Sequence, residues 1–463
     1  MKRRTPQLRA AALTLALCSW FTAGWAETIA DSVSGFSGEQ GVIVDGKTVF
    51  STATHGRDAS YSVDVNVNAG SLVDFLIAAG PAETGGSLGP VKLTATVSRP
   101  PIDTVIAQRM EEGGIMGLGA AIIVDRKVVW MKGYGFADKE GGVPFTPDTA
   151  MNIGSISKMF TGVAMMRAVQ EGKLSLDEDV NSYLPFKLSN PHRPNEKITL
   201  RHLATHTSGI ADRPSVYMDT YHYGGRVPEP LGEFLKSYLV PGGSTYSKDN
   251  FLDVKPGTNR EYSNIAAGLA GYIVEIATGK KLSEYAREQI FVPLRMENTG
   301  WSLAEIPPAR HSKLYVAQNG LTIPIPHYEL TTYPDGGVRT SVADLSKLFI
   351  ALLADGVYEG TRILEKRWVD EMLRFQYTES SKPENVSLQE INSGLFWATK
   401  QDVTRIGHNG TDPGVRTEML SNLTKDVGVI LFMNTSLSLS GEELRLTFDI
   451  SRELWKHAEA LKK

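Results

Sequence analysis

The chain has 463 residues, of which 41% are hydrophobic and 22% charged, and its formal net charge is −4. This length predicts two or three domains with a large buried core, and the composition is typical of a globular protein. The slightly acidic balance gives no support for a nucleic-acid partner.

The N-terminal segment has the features of a secretory signal peptide. Four basic residues among the first nine precede an apolar run over residues 10–23, which is too short to span a bilayer comfortably. The small residues Gly24 and Ala26 stand three and one positions before a predicted cleavage site at Glu27. We therefore expect residues 1–26 to be removed and the protein to be exported to a periplasm or the cell exterior. The alternative is an uncleaved N-terminal anchor.

The only cysteine, Cys18, lies inside this segment. The mature protein is therefore expected to have no disulfide, no thiol nucleophile and no cysteine metal ligand. A lipoprotein interpretation is disfavoured because a bulky residue precedes Cys18 and the apolar run continues past it.

Residues 27–99 are predicted to form a small all-β module. Residues 42–50 hold an Asp-Gly turn between two apolar runs, which predicts a hairpin. Strict alternation of apolar and polar residues over residues 61–67 and 91–97 predicts further antiparallel strands, and residues 99–101 mark a linker. The module resembles β-sandwich appendages beside enzymes that act on cell-surface or glycan substrates. A folding or docking appendage and a glycan-binding site are both open, and the cell envelope is the partner that such a module suits.

Residues 100–463 mix helical and strand patterns and form the second predicted domain. Residues 102–112 predict a helix that stops at Gly113, and residues 120–130 predict a pair of strands. A strong helical pattern follows over residues 155–171.

The C-terminal end of this domain predicts a strand over residues 425–433 and then a last helix, opened by a capping box at residues 440–443. The residues expected on the buried face of this helix are Leu444, Phe448, Ile450, Leu454 and Trp455. Strands at both ends with helices between them predict an α/β (α+β) domain whose sheet is closed by the two ends of the chain.

Ser155 and Lys158 form the only Ser-x-x-Lys sequence, at the start of the predicted helix. Residues three apart lie on one helix face, so the ammonium of Lys158 can reach the hydroxyl of Ser155. The helix N-terminus adds positive potential where an alkoxide would form, and a serine needs such an activating neighbour. The alternative is a capping serine beside a solvated lysine.

Tyr262 and Asn264 belong to the only Tyr-x-Asn sequence. A phenol has a reference pKa of about 10, and a neighbouring ammonium favours the phenolate, which can then act as a general base. The amide of Asn264 is suited to hold a substrate carbonyl and the lysine. The alternative for Tyr262 is a loop tyrosine that packs on the core.

Residues 408–411 read His-Asn-Gly-Thr. His-x-Gly also occurs at residues 222–224, but position favours His408, because a strand-like stretch over residues 415–420 follows it. An edge strand with small residues lets a substrate backbone lie alongside, and a main-chain N–H can then point at the developing oxyanion.

In this order, the three motifs resemble those of class C β-lactamases and D-alanyl-D-alanine carboxypeptidases, with related esterases and D-amino-acid peptidases. Residues 117–121, 134–138, 203–210 and 336–345 add to the resemblance, which covers roughly residues 102–455. It implies a β-lactamase/transpeptidase-like domain, with a central antiparallel sheet flanked by helices and a helical subdomain.

The resemblance also implies roles for the catalytic residues. Ser155 would attack a carbonyl and become acylated, while Lys158 and Tyr262 share the proton transfer, and which of the two is the base stays open. No metal and no cofactor are implied.

The binding residues follow from the same resemblance. Asn264 would position the substrate beside the strand that carries His408 and Gly410, and the backbone N–H groups of Ser155 and Thr411 would form the oxyanion hole. His408 departs from the lysine that most β-lactamases have there. Because imidazole titrates near about pH 6.5, we expect affinity for carboxylate-bearing substrates to fall as the pH rises through about 6.5.

Three other motifs fit known patterns poorly. Residues 85–89 match Gly-x-Ser-x-Gly but lie in a Gly-rich turn, not between a strand and a helix. His202 and His206 are four apart, as in zinc-binding helices, but no glutamate follows His202. The Gly-rich run over residues 113–119 precedes a strand, which argues against a dinucleotide site.

Residues 211–256 contain several tyrosines among scattered glycines and prolines. They are Tyr217, Tyr221, Tyr223, Tyr238 and Tyr246. In the resembled fold, this stretch would line the mouth of the active site and suit an apolar or peptidyl substrate. The alternative is a packed surface excursion.

Together these features predict a serine hydrolase that cleaves an amide, peptide or ester bond through an acyl-enzyme on Ser155, as a D-amino-acid peptidase, a carboxypeptidase-like enzyme or a β-lactamase-related enzyme. A carboxylesterase of the same fold and a non-hydrolytic penicillin-binding sensor are the alternatives. The expected partner is a small-molecule or peptidyl substrate, and the oligomeric state stays open.

Overall fold

The chain divides into two compact units, Met1–Val105 and Ile106–Lys463. The computed structural model describes residues 12–17, 25–34, 38–44, 47–54, 59–67, 73–79, 92–98, 101–225, 227, 229–401, 403–437 and 441–462. The domain boundary predicted between residues 99 and 100 lies a few residues before the division after Val105.

The first unit contains two sheets within its described residues. Its strands are β1 Ala12–Leu17, β2 Trp25–Ser34, β3 Gly38–Val44, β4 Lys47–Thr54, β5 Ala59–Val67, β6 Val73–Ala79 and β7 Lys92–Ser98. One sheet has the strand order β1-β6-β3-β4 and the other β5-β2-β7. Strands β3 and β4 pair antiparallel with Val44 opposite Lys47, as the hairpin prediction requires. The turn residues Asp45 and Gly46, like Val91, lie outside the described residues.

The predicted cleavage site at Glu27 falls inside strand β2, which begins at Trp25. Strand β1 lies within the predicted signal peptide and pairs with β6. Removal of residues 1–26 would therefore take away β1 and the first two residues of β2, and this cleavage stays a prediction. Among the described residues, none of the helices has the length and apolar character that crossing a bilayer requires.

The second unit combines strands and helices throughout. Its strands are β8 Gly117–Val124, β9 Lys127–Asp138, β10 Val143–Pro144, β11 Met151–Asn152, β12 Tyr221–Tyr223, β13 Leu314–Gln318, β14 Leu321–Ile325, β15 Tyr328–Leu330, β16 Arg339–Thr340, β17 Val357–Tyr358, β18 Thr361–Arg362, β19 Ala398–Lys400, β20 Arg405–Asp412, β21 Val415–Asn422, β22 Val427–Met433 and β23 Thr435–Ser436. The helices, of which the first crosses the division between the units, are α1 Ile102–Gly113, α2 Ser157–Gln170, α3 Leu200–Ala204, α4 Pro214–Met218, α5 Leu231–Leu239, α6 Asn264–Thr278, α7 Leu282–Ala286, α8 Val342–Leu353, α9 Lys366–Leu373 and α10 Gly441–Leu461.

The central sheet is antiparallel and has the strand order β10-β9-β8-β22-β21-β20-β19. Strand β8, near the start of the unit, pairs with β22, near its end, which confirms that the two ends of the chain close the sheet. Asp125 and Arg126 join β8 to β9 with φ angles of 48° and 66°. Positive φ at both central residues is typical of a tight hairpin turn, so the predicted strand pair is also confirmed.

Helices cover both faces of the central sheet. On one face, Gly428 of β22 leaves room for Phe349 of α8, whose ring lies 2.7 Å from the position of an added Cβ. On the other face, Ser451 of α10 donates a hydrogen bond to Glu418 of β21 at 2.6 Å. The fold is thus the predicted antiparallel sheet flanked by helices, and α2 lies in the adjoining helical region, where it contacts α6, α7 and α9.

The prediction of the buried face of α10 is wrong for one residue, Phe448. Phe448 is 43% exposed, whereas Leu446, Ile450 and Leu454 are buried. These three lie four residues apart on one side of the helix, and Phe448 is two residues on from Leu446, which turns it about 200° away. The members of the predicted face that are confirmed are Ile450, Leu454 and Trp455. Ser440 and the side chain of Leu444 lie outside the described residues.

Candidate active site

The turn that carries Ser155 lies against strand β20. Gly154 has a φ of 55°, and a Cβ there would come within 3.1 Å of the backbone nitrogen of Thr411. Glycine is therefore required both by the backbone conformation and by this close approach. Thr417 Oγ1 donates to the carbonyl oxygen of Ile153 at 2.8 Å and ties the turn to β21. Ser155 and Thr411 are brought together as predicted.

Lys158 lies beneath Ser155 and is fully buried. Its Nζ donates to Ser155 Oγ at 3.1 Å, to Asn264 Oδ1 at 2.7 Å and to the carbonyl oxygen of Asp335 at 2.9 Å. An ammonium has three N–H donors, so these contacts fix its position completely. The predicted helix-face contact between Ser155 and Lys158 is present, and Asn264 joins it.

The surroundings of Lys158 favour its charged form. Burial by itself would lower the pKa of Lys158, but the neighbouring Tyr262, Asp335 and Asp412 together raise the pKa above its ordinary value. A lysine that keeps its proton at neutral pH cannot accept one from Ser155. Lys158 is therefore suited to orient Ser155 and to stabilise negative charge, not to act as the base.

Tyr262 is held between Lys158 and two histidines. The Nζ atom of Lys158 lies 5.0 Å from the centroid of the Tyr262 ring. The His206 ring packs on Tyr262 with centroids 4.3 Å apart, and the His408 centroid lies 6.3 Å away. The phenol is thus oriented next to both the ammonium and the nucleophile turn.

The structure gives His206 a role that the sequence did not reveal. Its side chain is buried, its φ is 58°, and its Nδ1 accepts a hydrogen bond from the backbone N–H of Ser263 at 3.2 Å. Burial lowers the pKa of His206 well below its ordinary value, so the ring is a neutral platform for Tyr262. The spacing of His202 and His206 suggested only a zinc site, which was rejected. The sequence feature that could have pointed to His206 is the family resemblance of residues 203–210.

Asp212 positions Asn264 and was also missed. Its carboxylate accepts hydrogen bonds from Ser263 Oγ at 2.7 Å, from the backbone N–H of Asn264 at 2.7 Å and from that of Ile265 at 3.1 Å. A carboxylate at a helix N-terminus satisfies free N–H groups and complements the helix dipole. Because Asp212 is about fifty residues before α6, no local spacing could have revealed this contact.

His408 is buried, and its Nδ1 lies 2.7 Å from the carbonyl oxygen of Asn409. Burial lowers the pKa of His408 well below its ordinary value, and the positive charges of Lys400 and Lys158 lower it further. The ring is therefore neutral across the physiological range. The expectation that His408 loses a positive charge near about pH 6.5 is therefore wrong. The error arose because the burial of His408 cannot be seen in the sequence.

Five of the seven predicted site residues line a common cavity of about 350 Å³. Its lining residues are Ser155, Tyr217, Tyr221, Tyr262, Asn264, Lys400, His408, Asn409, Thr411 and Asp412. Gly410 lies in the same strand, where a Cβ would meet the carbonyl oxygen of Ile153 at 2.1 Å. All predicted site residues are therefore in, beneath or beside one cavity.

The tyrosine-rich stretch lines the cavity only in part. Tyr217 and Tyr221 face it, whereas Tyr238 is buried and donates to the carbonyl oxygen of Ala211 at 2.8 Å. Tyr223 is half exposed and is not among the lining residues. Part of this stretch thus lines the active site and part packs against the protein core, so each of the two interpretations applies to some of its tyrosines.

Two carboxylates accept hydrogen bonds from the tyrosines that line the cavity. Tyr217 donates to Asp335 Oδ1 at 3.0 Å, and Tyr221 donates to Asp412 Oδ1 at 2.7 Å. Burial raises the pKa of Asp335 to about 7 and that of Asp412 to about 6. Neither aspartate was predicted: Asp335 is remote in sequence from the three catalytic motifs, whereas Asp412 directly follows residues 408–411.

Strand β20 offers part of one edge to a substrate. Its pairing with β19 ends where Ala398 lies opposite Gly407, whereas its pairing with β21 continues to Asp412. Within the described residues, the stretch 408–412 therefore has strand pairing on one side only. An extended peptide can add to such an edge by main-chain hydrogen bonds.

Comparisons with known proteins agree with this geometry. The Beta-lactamase family model matches residues 102–451. Protein flp of Staphylococcus aureus (strain MRSA252) is 26% identical over 348 residues, and the match covers 73% of this chain and 63% of that protein. This chain thus spans less than two thirds of the length of that relative.

Solved structures that are similar to the chain include the following two. The octameric penicillin-binding protein homologue from Pyrococcus abyssi has 26% identity and a TM-score of 0.58, with 72% of this chain and 73% of that chain covered. A D-amino acid amidase from Ochrobactrum anthropi SV3 has 21% identity and a TM-score of 0.60, with 78% and 99% covered. The amidase likeness shows the fold alone.

Proposed function

Since this chain belongs to the beta-lactamase family of serine hydrolases, we propose that it cleaves an amide, peptide or ester bond through an acyl-enzyme on Ser155. One observation carries the proposal. The Nζ atom of Lys158 contacts Ser155 Oγ and Asn264 Oδ1 at once, with the ring of Tyr262 beside it. Two remote segments of the chain thus supply a nucleophile, a fixed positive charge and a candidate base at one point.

In the proposed acylation step, Tyr262 in its phenolate form takes the proton of Ser155. The ammonium of Lys158 stabilises that phenolate and keeps its own proton. Ser155 Oγ bonds to the substrate carbonyl carbon, and the carbonyl oxygen becomes an oxyanion beside the backbone N–H groups of Ser155 and Thr411. Tyr262 then donates the proton to the leaving atom as its bond to carbon breaks.

Deacylation repeats the sequence with water. A water molecule gives one proton to Tyr262 and attacks the acyl carbon, the bond to Ser155 Oγ breaks, and the proton passes to Ser155. The products are a carboxylic acid and the free enzyme, so no further reactant is required.

Within this class, we favour a D-amino-acid peptidase or carboxypeptidase-like activity. The support is the free edge of β20, which suits an extended peptide, together with the polar groups that line the cavity. The similarity in fold to a D-amino acid amidase agrees with an amide substrate. A penicillin-binding sensor is less favoured. A protein that only binds penicillin does not need the proton-transfer residues, whereas here Lys158 contacts both Asn264 and Tyr262.

The test compares turnover of nitrophenyl acetate and of N-acetyl-D-alanyl-D-alanine by the wild type and by Ser155→Ala. We expect the wild type to hydrolyse both and Ser155→Ala to hydrolyse neither, whereas the exposed Ser182→Ala keeps both activities. Fast ester turnover without peptide turnover would favour the carboxylesterase, and acylation by penicillin without any turnover would favour the sensor. Full activity of Ser155→Ala would contradict the proposal.

We also propose that the chain is exported and that its N-terminal unit associates with the cell envelope. The support is the signal-like sequence of residues 1–26 and the all-β character of the unit. The mature N-terminus of the protein from a bacterial secretory host should then be Glu27. An intact Met1 on exported or retained protein would contradict the predicted cleavage.

A further inference from the structure

The segment of residues 334–338 lies against helix α2 and is tied to it through backbone carbonyl groups. Thr161 Oγ1 donates a hydrogen bond to the carbonyl oxygen of Pro334 at 2.6 Å. Lys158 Nζ donates to the carbonyl oxygen of Asp335 at 2.9 Å. Both donors belong to α2, so the backbone of Asp335 is fixed relative to the catalytic lysine.

The side chain of Asp335 is completely buried. Its Oδ1 accepts a hydrogen bond from the hydroxyl of Tyr217 at 3.0 Å, which holds the carboxylate in a fixed orientation. A hydroxyl carries no charge, so it stabilises a buried carboxylate only in part. Burying a negative charge is costly unless a positive charge compensates it. A neighbouring cation is therefore required to keep Asp335 ionised.

Lys158 is the cation that acts on this carboxylate. Burial raises the pKa of Asp335 to about 7, and the positive charge of Lys158 keeps it from rising further. In return, burial lowers the pKa of Lys158, but Tyr262, Asp335 and Asp412 together raise it above its ordinary value. Each of the two groups therefore stabilises the charged form of the other. Above about pH 7, Asp335 carries a negative charge near the ammonium.

The position of one proton decides whether Tyr262 can act as the base. With the proton on Lys158, an ammonium lies beside a phenolate, whereas with the proton on Tyr262, a neutral amine lies beside a phenol. The two forms hold the same number of protons, so a negative charge on the lysine side of the pair favours the first. Asp335 contacts Lys158 directly through its carbonyl oxygen, and its carboxylate is hydrogen-bonded to Tyr217 and not to Tyr262. The charge of Asp335 is therefore on the lysine side.

We propose that Asp335 is a positioning residue whose negative charge keeps this proton on Lys158 and leaves Tyr262 free to accept the proton of Ser155. This inference rests on the proposed function, because it explains how the proposed base is kept in its reactive form. Asp335 acts through Lys158 and is not among the residues that line the cavity. Its effect is therefore on the proton of the catalytic pair and not on substrate contact.

Besides Lys158, the titratable groups that face Asp335 come from four other parts of the chain. They are Tyr217 of α4, Tyr221 of β12, Asp412 of β20 and Asp212 in the segment before α4. Burial raises the pKa of both tyrosines above their ordinary values, so they stay neutral near pH 7. Burial also raises the pKa of Asp412, to about 6. Of the two carboxylates with a raised pKa, Asp335 is therefore protonated first as the pH falls.

The experiment measures the phenolate by ultraviolet difference spectroscopy at about pH 8, above the pKa of Asp335. Subtracting the spectrum of the matching Tyr262→Phe protein isolates the tyrosinate signal of Tyr262. We expect the wild type to show this signal and Asp335→Asn, whose amide still accepts from Tyr217 but has no charge, to show about tenfold less. The acylation rate of Ser155 by nitrophenyl acetate should fall by the same factor. The exposed control Asp219→Asn removes a carboxylate charge two residues after Tyr217 and should change neither quantity.

The outcomes separate this inference from the proposed function. An unchanged tyrosinate signal in Asp335→Asn, or no such signal in the wild type, would overturn the role of Asp335, while acylation of Ser155 would leave the hydrolase intact. If Asp335→Asn does not fold, the wild type is titrated instead. Its signal should then decline as the pH falls through about 7, and a constant signal down to about pH 5 would overturn the inference. If Ser155 is never acylated, the hydrolase fails and this inference fails with it.

Discussion

The contact of Asp212 with the start of α6 leads to a prediction that couples stability to activity. Replacement by alanine in Asp212→Ala removes the acceptor for the Ser263 hydroxyl and for the backbone N–H groups of Asn264 and Ile265. The separate capping bond from the backbone N–H of Ala266 to Ser263 Oγ, at 3.0 Å, remains. The helix should therefore form, but with a loosened first turn.

The magnitude follows from the number and kind of bonds lost. A hydrogen bond to a charged group contributes about 1.5–3 kcal/mol, but Asp212 is only half-buried, so water replaces part of the lost contacts. A lost N-terminal cap typically costs about 1–2 kcal/mol. We expect the free energy of unfolding of Asp212→Ala to fall by about 2–3 kcal/mol, measured by urea denaturation.

Activity should fall as well, because Asn264 is the first residue of α6. Its Oδ1 accepts the 2.7 Å hydrogen bond from Lys158 Nζ, and small displacements of positioning groups reduce rates by about 10²-fold. We expect kcat for nitrophenyl acetate to fall about 10- to 100-fold in Asp212→Ala. Asp212→Asn keeps an acceptor, so its kcat and its free energy of unfolding should lie between those of the wild type and Asp212→Ala. The exposed Asp249→Ala should change neither quantity. Loss of stability with unchanged kcat would refute the positioning role.

Three further predictions address the base, the nucleophile turn and a buried histidine. Tyr262→Phe should lower kcat by about 10²–10⁴-fold with little change in the free energy of unfolding, and the half-exposed Tyr223→Phe should leave kcat unchanged. Gly154→Ala should destabilise the protein by about 1–2 kcal/mol, because it forces a left-handed φ on alanine, and it should reduce acylation because its Cβ crowds β20. Burial lowers the folded-state pKa of His202 to about 4, so the unfolded chain binds more protons between about pH 6.5 and pH 4. Stability should be lost as the pH falls through that window, by up to about 3 kcal/mol, and His202→Gln should flatten this dependence in urea denaturation.

The catalytic pair and the Tyr-x-Asn motif were predictable because their chemistry depends on local spacing. Ser155 and Lys158 lie one helical turn apart, and Asn264 is two residues after Tyr262. Strand and helix periodicity also predicted how β8 and β22 close the sheet. These features need only short-range geometry and the alternation of apolar residues.

The rest depends on contacts between remote segments. Asp212, Asp335 and Lys400 reach the site through the tertiary fold, and no spacing in the sequence connects them to Ser155. The same limit explains the error about His408, because a pKa depends on burial and on neighbouring charges that only the fold brings together. Phe448 was misplaced because an apolar residue on a helix does not by itself identify the buried side.

The most direct test of the central claim is to locate a covalent adduct. The purified protein is mixed with a fluorescent penicillin, quenched, digested and examined by tandem mass spectrometry. The account predicts a single modified residue, Ser155, and no adduct on Ser155→Ala. An adduct on another residue, or none on the wild type with any penicillin or nitrophenyl ester, would contradict it.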